Sequence, residues 1–312
     1  MGLAPGTLLG NRFFVRALLA RGGMGEVWTA EDRQNGAEVA VKTLRDTALA
    51  MPSVALRFAR EAEILARIAS PGIPALIAAV EHDGRLHLVI ERLVGETLEE
   101  RLRRLRVMTL HELRPILVHV LAALSDAHAA AVVHRDLKPD NVFLVFTNGR
   151  ETAKVIDFGV SRALSDDDGE GLTTEGATLG SLGYMAPEQL ANPSAVDGRA
   201  DVYAVGAIAF RALTGALPFP EKTGLGLLQL KREFEAPTLD EATGTTWPED
   251  VSRFVANCLA RDPAARFASA AEARSALLAV GQLSIARPRS PAAAPDADST
   301  STMARAPRKR KT

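Results

Sequence analysis

The chain is 312 residues long, 47% hydrophobic and 24% charged, with a formal net charge of −1. Such a length allows two packed units with a substantial core, while near-neutrality leaves no global field to draw in a nucleic acid or a membrane surface. The single cysteine, Cys258, excludes an internal disulfide and a zinc site of its own, and reads as a small buried residue in a reduced compartment.

In chain order, Met1 to Asn11 carries no charged start followed by an apolar core, so the expectation is a cytoplasmic protein. Short runs follow at Phe13-Phe14-Val15, Glu26 to Ala30, Glu38 to Leu44 and Leu86 to Glu91, bounded by Gly, Asp and Asn as strands are. Between the first two lies Ala20-Arg21-Gly22-Gly23-Met24-Gly25-Glu26-Val27, a G-x-G-x-x-G pattern with alanine in the first glycine's place. In a dinucleotide-binding domain the glycines would lead into a helix. Here Glu26-Val27-Trp28-Thr29-Ala30 favours a strand, so the segment reads as strand–turn–strand, and alone it is an ordinary hairpin.

Glu38-Val39-Ala40-Val41-Lys42 alternates with period two. Ala40 and Lys42 share the face that looks under the glycine loop, and Val39 and Val41 share the other. Most lysines are simply surface residues, but the next segment supplies a reason to think otherwise. Val54, Phe58, Leu65 and Ile68 follow one helical stripe, and Glu61 falls on it. A carboxylate on an apolar face is costly unless paired, and Lys42 is the expected partner.

From about Thr97 helical patterns dominate, and strands followed by helices imply two lobes rather than alternating βαβ units. No repeat at solenoid spacing is visible. Thr109-Leu110-His111-Glu112 matches a capping box, but Pro115 implies that this helix either starts later or kinks. After a helical segment ending near His128 comes His134-Arg135-Asp136-Leu137-Lys138-Pro139-Asp140-Asn141. One loop there can project a carboxylate to accept a hydroxyl proton, a cation to neutralise phosphate and an amide oxygen to bind a metal. Val155-Ile156-Asp157-Phe158-Gly159 sets another acid after an apolar strand, with glycine for a sharp turn. Oxygen donors from two such loops suit Mg²⁺. Val202 to Phe210 belongs to a helix apolar nearly all round, hence buried, and is too short to span a bilayer. Residues 284–312, rich in Pro, Ala and Ser with a basic end, carry too little apolar surface to order and are expected to be a disordered tail.

The glycine loop, Val39-Ala40-Val41-Lys42, Glu61, His134-Arg135-Asp136, Asp157-Phe158-Gly159 and Ala186-Pro187-Glu188 occur in that order. The set resembles the signature of eukaryotic-type protein kinases over roughly Phe13 to Val280. Gly22 to Val27 and Gly183 to Gln189 are similar to bacterial Ser/Thr protein kinases, and Lys138, two places after Asp136, is the lysine typical of Ser/Thr enzymes. The Ala186-Pro187-Glu188 segment, usually missing from small-molecule kinases, favours protein substrates.

The resemblance implies an α+β, two-lobed kinase domain over residues 12–280, with a small β-rich N-lobe at about 12–91 carrying one key helix. A larger, mainly helical C-lobe would occupy about 96–280. It implies ATP and Mg²⁺ as cofactors and transfer of the γ-phosphoryl group to protein hydroxyls. Asp136 would orient the hydroxyl, Lys138 would stabilise the moving charge, and Lys42, fixed by Glu61, would hold the α/β-phosphates. The loop Ala20, Arg21, Gly22, Gly23, Met24 and Gly25 would cover the phosphates. Val27, Ala40 and Phe143 would sandwich adenine, Glu91 to Leu93 would form a hinge, and Asn141 and Asp157 would bind the metal. Leu65, His134 and Phe158 would stack in a spine, Asp201 would hold the catalytic loop, and Arg266 would pair with Glu188. Arg135 would face an activation loop in which Thr173 or Thr174, ahead of Thr178, is phosphorylated through transient self-association. The run Asp166-Asp167-Asp168 is a competing partner for Arg135. Ala20, Ser181 (where the family usually has threonine) and Leu182 (where a small residue or proline is frequent) depart from the pattern, and Leu182 leaves substrate preference open. The alternative is a pseudokinase-type scaffold, which normally loses the equivalents of Lys42, Asp136 or Asp157; a small-molecule phosphotransferase is weaker still.

Overall fold

The computed structural model describes residues 2–23, 25–147, 149–158, 181–191, 196–219 and 225–281. The tail expected to be disordered, the residues Thr173, Thr174 and Thr178, and Met24 lie outside the described residues.

The first lobe is an antiparallel sheet in the order β1-β2-β3-β4-β6-β5. Its strands are β1 Leu8–Leu9, β2 Phe13–Arg21, β3 Gly25–Asp32, β4 Ala37–Leu44, β5 Leu76–His82 and β6 Arg85–Glu91. Alternation decides the faces: Phe13, Val15, Trp28, Val39, Val41 and Val89 pack into one buried cluster, which leaves Ala40 and Lys42 on the opposite face. The β5–β6 turn is Asp83-Gly84, both at positive φ (51° and 69°), as a two-residue type I′ hairpin requires. Between β4 and β5 run the short α1 Asp46–Leu49 and then α2 Pro52–Arg67, with Pro52 at the start where its missing N–H costs nothing. Val54, Phe58, Glu61 and Leu65 are its buried residues. Ile68, expected to continue the stripe, is instead the extended residue that ends the helix (φ −104°, ψ 115°).

The second lobe opens with a three-stranded sheet, β7 Gly95–Thr97, β8 Val142–Thr147 and β9 Arg150–Val155. Its helices are α3 Leu98–Leu105, α4 Leu110–Ala129, α5 Glu188–Ala191, α6 Arg199–Thr214, α7 Leu225–Glu233, α8 Leu239–Thr243, α9 Glu249–Leu259 and α10 Ala270–Ala279. Reciprocal capping boxes start α3 (Thr97 with Glu100), α4 (Thr109 with Glu112) and α8 (Thr238 with Glu241), each such cap stabilising by about 1 kcal/mol. The α4 helix begins at its capping box and runs through Pro115, so a later start is excluded. Pro115 is exposed, and the carbonyl it leaves without a helical donor belongs to exposed His111.

Every residue of α6 from Ala200 to Phe210 is buried, with α4 on one side and α9 on another. Large side chains such as Phe210 and Leu213 each contribute about 1.5–3 kcal/mol by leaving water. The approach of α9 depends on Gly206, where a Cβ would fall 2.6 Å from the Cβ of Cys258. Cys258 is free and fully buried. Among the described residues no helix is long and apolar enough to cross a membrane.

Candidate active site

Between the lobes lies a cleft of about 390 Å³. Of the residues assigned to nucleotide binding from sequence, Ala20, Val27, Ala40, Lys42, Glu91, Leu93 and Phe143 line it. Arg21, Gly22, Gly23 and Gly25 do not; they form the turn at its mouth, closed by a bond from the Gly22 amide to the Gly25 carbonyl at 2.9 Å. Arg21 is engaged with Glu26 at 2.9 Å. Ala20 sits in β2 opposite Val27, outside the positive-φ set, so its methyl strains nothing. Gly25 differs: a Cβ there would stand 2.8 Å from the Thr43 carbonyl oxygen of β4. On the opposite wall, the Glu91 amide already donates to the Ala75 carbonyl at 2.9 Å. The Leu93 carbonyl accepts from the guanidinium of Arg92 and keeps a second lone pair, so of these two groups only the Glu91 amide is committed.

At the foot of the cleft β4 delivers Lys42 and α2 delivers Glu61. The ammonium donates to both Glu61 oxygens at 2.6 and 2.8 Å and to Asp157 Oδ1 at 2.7 Å. Glu61 is 7% exposed and Asp157 is half-exposed toward the cleft. Burial works against the Lys42 charge, but the fields of Asp157 and Glu61 outweigh it and raise its pKa. The Lys42 ammonium in turn lowers the Asp157 pKa. The cluster is therefore a held cation between two carboxylates, one structural and one facing open space.

The loop bearing Asp136 is shaped from below by Asp201. One oxygen of Asp201 accepts the His134 amide (2.8 Å) and the other the Arg135 amide (2.9 Å). Arg135 is thereby held at φ 64°, and Asp157 adopts φ 54°; such left-handed residues cost about 1–3 kcal/mol each and persist only where their surroundings fix them. Lys138 Nζ lies 3.2 Å from Asp136 Oδ2. Asn141 Nδ2 donates to the Asp136 carbonyl at 2.8 Å, and the Ile156 amide donates to the Asn141 carbonyl at 2.9 Å. Those two bonds fix Asn141 against Asp136 within one loop and tie that loop to the strand end that leads into Asp157. The His134 and Phe158 rings stand 4.8 Å apart, and Phe158 belongs to the same buried cluster as Leu65. Arg266, with 0% side-chain exposure, makes a bidentate pair with Glu188 at 2.6 and 2.8 Å.

Several participants are not evident from sequence. His128 Nε2 lies 2.8 Å from Asp201. Gln189 Nε2 donates to the Arg135 carbonyl at 2.7 Å. Lys154 Nζ holds the Glu91 carboxylate at 2.8 Å. Gln189 closes the Gly183 to Gln189 stretch quoted above, but His128 and Lys154 belong to no motif, although the apolar run of β8 beside the Asp136 loop could have located Lys154 on the paired strand β9.

The chain matches the family described as "Protein kinase domain" over residues 13–277. It is 36% identical over 280 residues to serine/threonine-protein kinase pkn3 of Myxococcus xanthus, covering 88% of this chain and 51% of that protein. Against serine/threonine-protein kinase PknB of Mycobacterium tuberculosis it is 34% identical over 303 residues, covering 96% and 47% respectively. The chain thus spans about half the length of these relatives. Among solved structures, the PknI kinase domain of Mycobacterium tuberculosis matches with a TM-score of 0.67 at 27% identity, over 89% of this chain and 99% of that one.

Proposed function

The chain belongs to the protein kinase family, and on that footing we propose that it transfers the γ-phosphoryl group of ATP to serine and threonine hydroxyls of proteins. The observation that carries this reading is the Lys42 ammonium gripped by Glu61 and Asp157 at the foot of the cleft, with the Asp136 loop bonded alongside. Nothing favours a scaffold that has lost its chemistry, because Lys42, Asp136 and Asp157 are all present.

Phosphoryl transfer passes through a loose transition state, so positioning and charge neutralisation supply most of the acceleration. Val27, Ala40 and Phe143 offer apolar walls to the adenine, and the backbone between Glu91 and Leu93 orients it. Lys42 grips the α/β-phosphates, kept in place by Glu61, while amides of the Gly22 to Gly25 turn cover them. Asn141 and Asp157 offer an amide oxygen and a carboxylate, hard donors of the kind Mg²⁺ takes. The bond from Asn141 Nδ2 to the Asp136 carbonyl commits the amide nitrogen and leaves Oδ1 as the available end. Mg²⁺ held there would neutralise phosphate charge. Asp136 orients the incoming hydroxyl and accepts its proton, and Lys138 balances charge on the group in flight. The requirement for ATP assigns the domain to the cytoplasm.

The same reading has the enzyme switched by phosphorylation between Asp157 and Glu188. The Arg135 backbone is fixed by Asp201 and Gln189, and its guanidinium could take a phosphate in bidentate, charge-assisted bonds. Thr173 or Thr174 is the favoured acceptor, reached when two copies meet transiently. Mass spectrometry should find phosphate on that stretch of the wild type and none on Asp136→Asn.

The direct test of the activity follows γ-labelled ATP incubated with a generic protein, with the chain alone and with an aminoglycoside. Label on protein, recovered as phosphoserine or phosphothreonine, is expected. Label confined to the aminoglycoside, or none anywhere, overturns the reading.

A further inference from the structure

Lys231 lies in α7 and is 1% exposed, a burial that lysine rarely tolerates. Its ammonium donates to the carbonyls of Leu182 (2.9 Å), Gly183 (2.8 Å) and Met185 (2.7 Å). An ammonium has three donors, and all three go to one short stretch of backbone. Burial pushes the Lys231 ammonium pKa down to about 7, against which the three carbonyls and the Tyr203 ring on α6, its centre 5.3 Å from Nζ, favour the charged form. Among the described residues no carboxylate forms an ion pair with it. The side chain is therefore a template around which residues 182–185 curl, rather than half of a salt bridge.

The curled segment is tied to the catalytic loop at its other end. The Ala186 amide donates to Gln189 Oε1 at 3.0 Å, and Gln189 Nε2 donates to the Arg135 carbonyl, next to Asp136, at 2.7 Å. The Tyr184 hydroxyl accepts from Arg211 of α6, which is itself paired with Glu99 of α3 at 2.5 and 3.0 Å. Leu182 and Met185 meet Leu227 of α7 in a small cluster separate from the main core. Through Gln189 the segment Leu182 to Met185 is thus bonded to the residue beside Asp136, the carboxylate that a substrate hydroxyl would meet on the reading above.

We propose that Lys231 is a positioning residue: its buried ammonium sets the shape of Leu182 to Met185 and so governs how the protein substrate docks beside Asp136. The proposal rests on the phosphoryl-transfer reading given above. A lysine serving only to hold the lobe together would affect nucleotide and peptide alike, whereas one acting through this segment affects the peptide.

The test uses Lys231→Met, which keeps the chain length and removes every donor, and the milder Lys231→Gln. Peptide KM, ATP affinity measured without peptide, and melting temperature are read together. The expected result is a peptide KM raised at least about ten-fold in Lys231→Met and less in Lys231→Gln, with ATP affinity within about two-fold of wild type. Should either variant fail to fold, Tyr184→Phe loosens the same segment from its α6 anchor and must show the same split. A peptide KM within about two-fold of wild type in a folded variant, or parallel losses for peptide and ATP, overturns the proposal. If the wild type transfers no phosphate at all, the underlying functional reading fails first and the two failures are told apart.

Discussion

Asp201 shows how one buried acid shapes a catalytic loop it does not belong to. With 1% exposure it accepts the amides of His134 and Arg135, and so sets the left-handed turn at Arg135 that aims Asp136. Alanine there would orphan both donors, at about 1–3 kcal/mol apiece. Asp201→Ala should lower unfolding free energy by that order in denaturant titration and cut transfer along with it; unchanged stability would show that the loop holds its own shape. At this scale the sequence was most readable where a residue looked out of place. Glu61 on an apolar stripe demanded a cation, and Lys42 is there. Lys231 gave no such warning, because a lysine on a short amphipathic helix reads as solvent-facing until the carbonyls around it are seen.

The β2–β3 hairpin separates two glycine positions that a motif treats as equivalent. Ala20 occupies ordinary strand geometry, so Ala20→Gly should leave activity within a few-fold, the change in flexibility amounting to about 1 kcal/mol or less. Gly25→Ala sets a methyl against the Thr43 carbonyl, a backbone atom that cannot swing aside. It should weaken ATP binding well beyond the effect of Ala20→Gly in paired titrations, and equal effects would contradict this geometry. Glu96 in β7 carries a second prediction. Hydrogen bonds from Arg104 and then Arg101 hold its carboxyl at about 2, below the 4.5 usual for glutamate. A carboxylate lowered on folding contributes stability above its unfolded value and loses it as pH falls through the folded one. The difference in melting temperature between wild type and Glu96→Gln should therefore be full near neutrality and close as pH drops from about 4.5 toward 2. A difference indifferent to pH would mean that the arginines do not hold the charge. Elements hid from the sequence for related reasons. β5 is apolar from Leu76 through Val80, with no polar alternation to announce a strand, although Asp83-Gly84 marks its turn. β1 and β7 span only Leu8–Leu9 and Gly95–Thr97, which is too short for any period to show.

Across the whole molecule, a sheet-rich lobe, a mainly helical lobe and the cleft between them follow from a chain that gathers six of its strands, with α1 and α2, ahead of its long helical stretch. The two-lobed plan is therefore legible in the sequence, and motifs single out Lys42, Glu61, Asp136, Asn141 and Asp157, which hydrogen bonds draw to the foot of the cleft. Contacts such as Gln189 to Arg135 were not, since backbone carbonyls have no sequence signature. The Arg266–Glu188 pair joins the start of α5 to the turn after α9, and Arg266 also donates to the carbonyls of Ala260, Arg199 and Arg261. Removing one partner of so buried a pair strands the other charge, at about 3–5 kcal/mol. Arg266→Met should destabilise by that order, and adding Glu188→Gln should recover part of it in a double-mutant cycle; strict additivity would deny the coupling. The central claim is tested most directly on Asp136→Asn, with phosphoryl transfer, ATP affinity and melting temperature measured on one preparation. Transfer should fall by about 10²–10⁴-fold or below detection, while ATP affinity and melting temperature stay near wild type. Turnover at the wild-type rate, from a variant that folds and binds ATP, would contradict the account.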